Sequence, residues 1–271
     1  MRRVFTSLLI LLFTAALLLF GALLGLFAGA AASQQWTTIQ LWLNSVKFDA
    51  VDPQWGLDIS FFVFTLPGLR FVVSFLMAVV FLSAIATLAT QYLYGGIRIG
   101  GEGPRTTKSA RVQLSIISAI FLLLIAANYW LDRYSLLTKA GEKFEGASYA
   151  DVNAVLPSKG ILAVVAVVVA VLFLVTARRG NWRIPAIGVG LMVVSAIAIG
   201  GIYPAVVQRF QVVPNAQELE AKFIQRNIDA TTTAFGLNDI EVTPYSASTD
   251  ATAGALRQDA DTAASIRLLD P

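Results

Sequence analysis

The residues able to do chemistry lie in the polar connectors of an oily chain. Asp49, Asp52 and Asp58 surround Pro53 and Trp55. Clustered carboxylates are the hard oxygen donors that Ca²⁺ takes, but these lack the dense ligand pattern of an EF-hand loop, so turn formation is the expected role. Further along, Asp132-Arg133 stands at the mouth of an apolar run, with Glu142, Glu145 and Asp151 among Lys139, Lys143 and Lys159. A structural ion pair between Asp132-Arg133 and the earlier connector is expected, since catalysis by Asp132, Glu142 or Asp151 requires two carboxyl groups converging in a cleft. The chain contains no histidine and no cysteine. That excludes Cys/His zinc sites, imidazole-held haem or copper, thiol nucleophiles, Ser-His-Asp triads and disulfides. The segment Gly95 to Arg111 is glycine-rich and basic like a phosphate cradle, yet has no GKS/GKT ending and no surrounding βαβ unit, and reads as a flexible basic loop. No catalytic residue, metal ligand or cofactor is assigned.

The elements that position these residues are apolar. Of 271 residues 56% are hydrophobic and 14% charged, whereas a soluble domain carries about a quarter charged residues; mean hydropathy is +0.70. A membrane-crossing helix needs roughly 20 apolar residues, because lipid offers no partner for open backbone groups. Five runs qualify, at about 4–29, 71–94, 112–131, 160–177 and 185–207. Pro67, Gly95-Gly96, Pro157-Ser158, Gly180 and Pro185 punctuate their ends, and Tyr92, Tyr94, Trp130, Tyr134, Trp182 and Tyr203 sit where rings prefer the headgroup layer. The valine-rich run Ile161 to Val175 is expected to be helical despite its strand-like composition, being too long for a buried strand and unable to leave an edge open in lipid. The fold class is an all-α membrane protein: a polytopic helical bundle with five predicted transmembrane helices, structured extracytoplasmic loops and a short soluble α/β C-terminal segment. Residues 1–207 form the transmembrane domain and 208–271 begin an extracytoplasmic region.

Alternation of the runs places Arg2, Arg3, Arg98, Arg105, Lys108, Arg111, Arg178, Arg179 and Arg183 on one side with Glu102 as its one acid, a net +8; the remaining bases and acids leave −5 on the other. The positive-inside rule makes the first side cytoplasmic. A multi-pass protein of the cell membrane follows, with its N-terminus cytoplasmic and its C-terminus extracytoplasmic. The first run is too long for a signal-peptide core, so it is expected to be retained despite Arg2-Arg3 before it and Ala30-Ala31-Ala32 after it. The lipid bilayer is the first partner, with a membrane or cell-envelope protein as a second and no nucleic acid.

Gly21, Gly25 and Gly29 recur every four residues on one face of the first run and are read as a helix-packing stripe against another span or a partner. Ala166, Ala170, Gly188, Gly190, Gly200 and Gly201 extend such surface to later runs. No Asp, Glu, Lys or Arg interrupts the middle of any run, which weakens a proton-coupled transport reading. In the connector from Ala30 to Arg70, Trp36, Ile39, Leu43 and Val46 share one face of an interfacial helix. The run Ile59 to Leu66, closed by Pro67-Gly68, is too short to cross and is read as re-entrant, interfacial or a strand. After Val207, Pro214-Asn215 caps a helix of about Ala216 to Phe235 that Gly236 stops, and Asp239 to Tyr245 alternates like a strand.

The strings QWTTIQLWLN (Gln35 to Asn44), DPQWGLDISFFVFTLP (Asp52 to Pro67), YWLDRY (Tyr129 to Tyr134), GASYADV (Gly146 to Val152), GGIYPAVVQRF (Gly200 to Phe210), RNIDAT (Arg226 to Thr231) and RLLDP (Arg267 to Pro271) closely resemble the bacterial membrane proteins called uncharacterised protein family 0182. The resemblance implies a large integral protein of the cell membrane, with seven predicted spans followed by a long extracytoplasmic region, and carries no reaction, ligand or cofactor. Against that pattern the sequence starts at the family's third span and stops soon after the extracytoplasmic region begins, so a truncated member is expected. The function expected is a structural or assembly platform presenting an extracytoplasmic region, the alternative being a transporter or channel for a lipid or other hydrophobic substrate.

Overall fold

Long apolar runs leave the backbone one economical way to satisfy its own amides in an apolar setting, the α-helix, and helices dominate the chain. The computed structural model describes residues 2–98, 105–141, 144–241 and 243–244. The helices are α1 (Arg2–Ser33), α2 (Trp36–Leu43), α3 (Leu66–Leu93), α4 (Lys108–Asp132), α5 (Leu156–Arg179), α6 (Arg183–Ile197), α7 (Tyr203–Val206) and α8 (Ala216–Ala234). A two-stranded antiparallel ribbon, β1 (Ile97–Arg98) and β2 (Arg105–Thr106), joins α3 to α4, with Ile97 opposite Thr106.

Four helical stretches are long and apolar enough to cross a membrane: Phe61–Leu93, Lys108–Asp132, Asp151–Arg179 and Arg183–Ala234. The valine-rich run lies inside the third and is helical throughout. For the first run, α1 reaches from Arg2 to Ser33, but its described apolar stretch is Gly21–Ser33, shorter than a crossing. Much of the rest of that expected span lies outside the residues whose side chains are described.

Two expectations about helix ends are corrected. Ile59 to Leu66 is neither a strand nor a segment stopped at Pro67-Gly68: Phe61–Thr65 forms a π-helical turn that leads straight into α3. Pro67 stands in the first turn of α3, where its missing N–H breaks little. Nor does the chain break after Val207. Residues 183–234 form one helical stretch, re-wound by π turns at Ala198–Ile202 and Val207–Val212 and a 3-10 turn at Val213–Asn215. Pro204, Pro214 and the Gly200-Gly201 pair fall in or beside these irregular turns, where proline and glycine are tolerated. Gly236, at φ +65°, ends α8 as expected. The described part of the Asp239 to Tyr245 segment forms no strand; Val242 and Tyr245 lie outside the described residues.

The unit Met1–Asn227 centres on α4 and α5. Ala119, Leu122, Val169, Ala170 and Phe173 form its buried cluster, with Trp182, Val189 and Met192 packed against it from the turn into α6 and from α6 itself. Small residues allow the close approach: Ala166 and Ala170 are fully buried, and a Cβ on Gly188 would stand 3.1 Å from Leu172 Cδ1. Without a hydrophobic drive between helices in lipid, such contact gains its energy from dispersion. Side-chain pairs fix which ends coincide. Gln91 donates to Gln113 at 2.8 Å, joining the end of α3 to the start of α4. At the same end, Thr107 caps α4 by accepting from the Ala110 N–H, and Gly180, at φ +83°, ends α5 beside Arg111. The second unit, Ile228–Pro271, is described only through the end of α8 and the short turn after it.

Candidate functional site

The opposite end of α3, α4 and α5 gathers most of the polar candidates around one carboxylate. Asp132 closes α4, and its Oδ1 accepts from Arg70 Nη2 at 2.6 Å while its Oδ2 accepts from Lys159 Nζ at 2.8 Å. Arg70 lies one turn into α3 and Lys159 in the first turn of α5, so one acid ties three helices at a single level. Ser135 completes the node, accepting from Arg70 Nη2 at 2.7 Å and donating to the Asp132 carbonyl at 3.0 Å. With both oxygens held by cations, Asp132 is the shared partner of two ion pairs.

Arg133, the next residue, is held differently. Its guanidinium lies 4.3 Å from the Trp130 ring centroid and 5.3 Å from that of Trp55. Trp55 in turn packs on Tyr134 at 4.6 Å, and Phe61 reaches Tyr134 at 5.3 Å. Beneath them Phe62, Leu66 and Leu131 form a small buried cluster. The strings DPQWGLDISFF and YWLDRY therefore interlock through rings.

The connector that carries Trp55 is held by its own carboxylates. Asp52 accepts from the backbone N–H groups of Gln54 and Trp55 at 2.8 and 2.7 Å. Asp58 accepts from those of Ser60, Phe48 and Asp49 at 2.8, 3.2 and 3.0 Å. The Ser60 hydroxyl and N–H, aided by the Phe48 and Asp49 amides, lower the Asp58 pKa from 3.8 to about 2. Asp49 adopts φ +55°, a left-handed turn that aspartate tolerates. All three thus shape turns, and among the described residues no group of three potential ligands is placed to hold a metal ion.

Asp151 belongs to a second node. It is buried and accepts from Lys139 Nζ at 3.0 Å, while Ser148 and Asp151 cap one another: the Ser148 N–H donates to Oδ2 at 3.1 Å and the Asp151 N–H to Ser148 Oγ at 3.3 Å. This reciprocal pairing starts the α5 stretch as a capping box does. Glu220 of α8, also buried, accepts from the Tyr149 N–H at 3.0 Å; Arg226 donates to Gln54 at 2.9 Å and Asn227 to the Glu145 carbonyl at 2.9 Å. Between these parts lies a cavity of about 500 Å³ lined by Lys139, Asp151, Gln208 and Glu220 together with Phe144 and Val212. Asp132 and Asp151 sit in separate ion pairs rather than one acid-base cleft, and Glu142 lies outside the described residues.

The glycine stripe lies elsewhere: a Cβ on Gly21, Gly25 or Gly29 would meet nothing within 4 Å. Arg70, Ser135 and Glu220 were not singled out by sequence, and Lys159 stood there only as one of several connector bases. Arg70 carried a faint signal as a lone cation inside an apolar run, and Lys159 as a cation at a span's first turn; the partner of each lies 62 or 27 residues away, which no local pattern encodes.

Four apolar helical stretches long enough to cross a membrane, three of them tied at one end by the Asp132 carboxylate, define a helical protein of membrane-spanning dimensions. The chain belongs to the Uncharacterised protein family (UPF0182), whose sequence pattern matches residues 5–271. A UPF0182 protein of Kineococcus radiotolerans is 57% identical over 91% of the chain, and one of Kocuria rhizophila is 52% identical over 91%. A Streptomyces coelicolor relative is 48% identical over 92%. The chain spans about a quarter of the length of these relatives. No solved structure matches it.

Proposed function

We propose that the chain is the membrane anchor of a larger multi-pass protein of the cell membrane, a platform that presents an extracytoplasmic region at the bilayer surface and works with a membrane or cell-envelope partner. In this reading α1 is a fifth span, the N-terminus is cytoplasmic, and the Asp132 end faces outward. The charge asymmetry supports that orientation, with Lys108, Arg111, Arg178, Arg179 and Arg183 all at the opposite end. The observation that carries the platform reading is the fastening of α8 to that end: Glu220 to the Tyr149 N–H and Arg226 to Gln54. A polar helix leaving the last span is thereby held rigid, which is what a presented region requires and a flexible tether does not supply. The open Gly21, Gly25 and Gly29 face offers a partner helix close backbone approach. Crosslinking in native membranes, followed by purification and mass spectrometry of proteins and lipids, tests it. A reproducible protein or envelope component on the chain is the expected result; a chain that comes through alone would remove the reading.

A further inference from the structure

We propose that a groove beside Arg133 is a binding site for an anionic phospholipid. The groove holds about 520 Å³ and is lined by Trp130, Arg133, Leu156, Ile161, Val164 and Val165. Its wall is one face of α5: positions 157, 161, 164 and 165 recur at helical spacing and run about 12 Å along the axis at 1.5 Å per residue. Ile161 and Val164 are 48% and 61% exposed, so no helix among the described residues covers this wall. At its mouth sits a cation with no counter-charge paired to it among the described residues. The Arg133 guanidinium makes no hydrogen bond or ion pair among the described residues, and its buried Nε has no partner. That nitrogen faces the groove, since a Cβ on Gly160, another lining residue, would stand 3.9 Å from it.

Charge balance selects the occupant. Arg70, Lys159 and Arg133 are three cations around the single carboxylate of Asp132, whose two oxygens are already taken by the first two. A phosphodiester matches the guanidinium fork in shape and charge. Trp130 and Trp55 hold the guanidinium by cation–π contact, which leaves its hydrogen-bond donors unspent. The apolar wall below would take the first carbons of an acyl chain, which a free phosphate lacks, and the unbalanced positive charge favours a net-negative headgroup over a zwitterionic one. The site rests on the spanning reading only in placing the groove at a bilayer edge.

The test is native mass spectrometry of the full chain released from micelles doped with phosphatidylglycerol, with phosphatidylcholine and glycerol 3-phosphate as separate arms. Phosphatidylglycerol should be retained about tenfold more by the parent chain than by Arg133→Gln, the loss of one charge-assisted contact. Val164→Trp, which fills the groove without touching the cation, should lower retention comparably, while Arg178→Gln at the far end should not change it. Equal retention in the parent and Val164→Trp, equal retention of phosphatidylcholine, or displacement by glycerol 3-phosphate would each overturn the proposal. Val164→Trp keeps it decidable should Arg133→Gln fail to fold. Resistance of the chain to alkaline carbonate extraction is read alongside: its loss would sink the spanning reading, whereas a resistant chain without lipid preference sinks this site alone.

Discussion

Asp132 Oδ1 accepts a 2.6 Å hydrogen bond from Arg70 Nη2, so the last residue of α4 fixes the first turns of α3. Its other oxygen does the same for α5 through Lys159. Removing the acid leaves two cations facing each other without compensation, while removing one cation leaves the other pair intact. Asp132→Asn should therefore destabilise the bundle more than Lys159→Met. The side chain keeps 19% exposure, so solvent screening holds the loss to roughly 1–3 kcal/mol rather than the larger figure for a fully buried pair. Unfolding in mild detergent, followed by tryptophan fluorescence, measures the order.

Asp58 makes the connector pH-sensitive in a defined window. Its folded pKa of about 2 lies below the ordinary 3.8, so the unfolded loop takes up a proton first. The stabilisation is complete above the ordinary value and disappears as pH falls through about 2. Emission from Trp55 should report loosening of the parent loop between those pH values. Asp58→Asn should start looser and show no further change across the same window.

Gly68 is required by Trp42. A Cβ at position 68 would stand 2.5 Å from Trp42 Cδ2, so Gly68→Ala should push α2 off the start of α3 at a cost of roughly 1–3 kcal/mol. Trp42→Ala removes the obstacle, and the double variant should recover much of the loss from Gly68→Ala. Additive losses in a double-mutant cycle would show that the two residues do not meet.

Glu220 holds the Tyr149 N–H across two elements. Glu220→Ala orphans that donor, at roughly 1–3 kcal/mol, and should speed hydrogen exchange at the Tyr149 amide. Glu220→Gln keeps an acceptor oxygen and should restore most of the protection.

Hydropathy made the long helices legible because lipid forces each apolar run to satisfy its own backbone, and the valine-rich α5 followed from that rule against its local propensity. The rule does not mark where a helix stops. Pro67 looked like a terminator yet sits in a first turn, and Pro214 looked like the start of a new helix yet lies in a tightened turn of a continuous one. Proline disfavours the regular helix interior, where it costs a hydrogen bond and crowds the carbonyl one turn back, and a first turn or a re-wound turn relieves both. At the site, the acids were visible as types, but their partners were not. Asp58 pairs with amides of the connector nine and ten residues back, and Asp132 with cations on two other helices. Arg133 was legible as a charge and not as one without an ion pair among the described residues, since that depends on Asp132 being spent on Arg70 and Lys159.

The central claim, that the helices cross the membrane with the Asp132 end outside, meets its most direct test in single-cysteine labelling of intact cells. The parent chain has no cysteine, so there is no background. Thr138→Cys lies just past α4 at the Asp132 end, and Ser109→Cys lies at the start of α4 at the other end, both at exposed positions. With a membrane-impermeant thiol reagent, Thr138→Cys should label in intact cells and Ser109→Cys only after permeabilisation. Labelling of both in intact cells, or of Ser109→Cys alone, would contradict it.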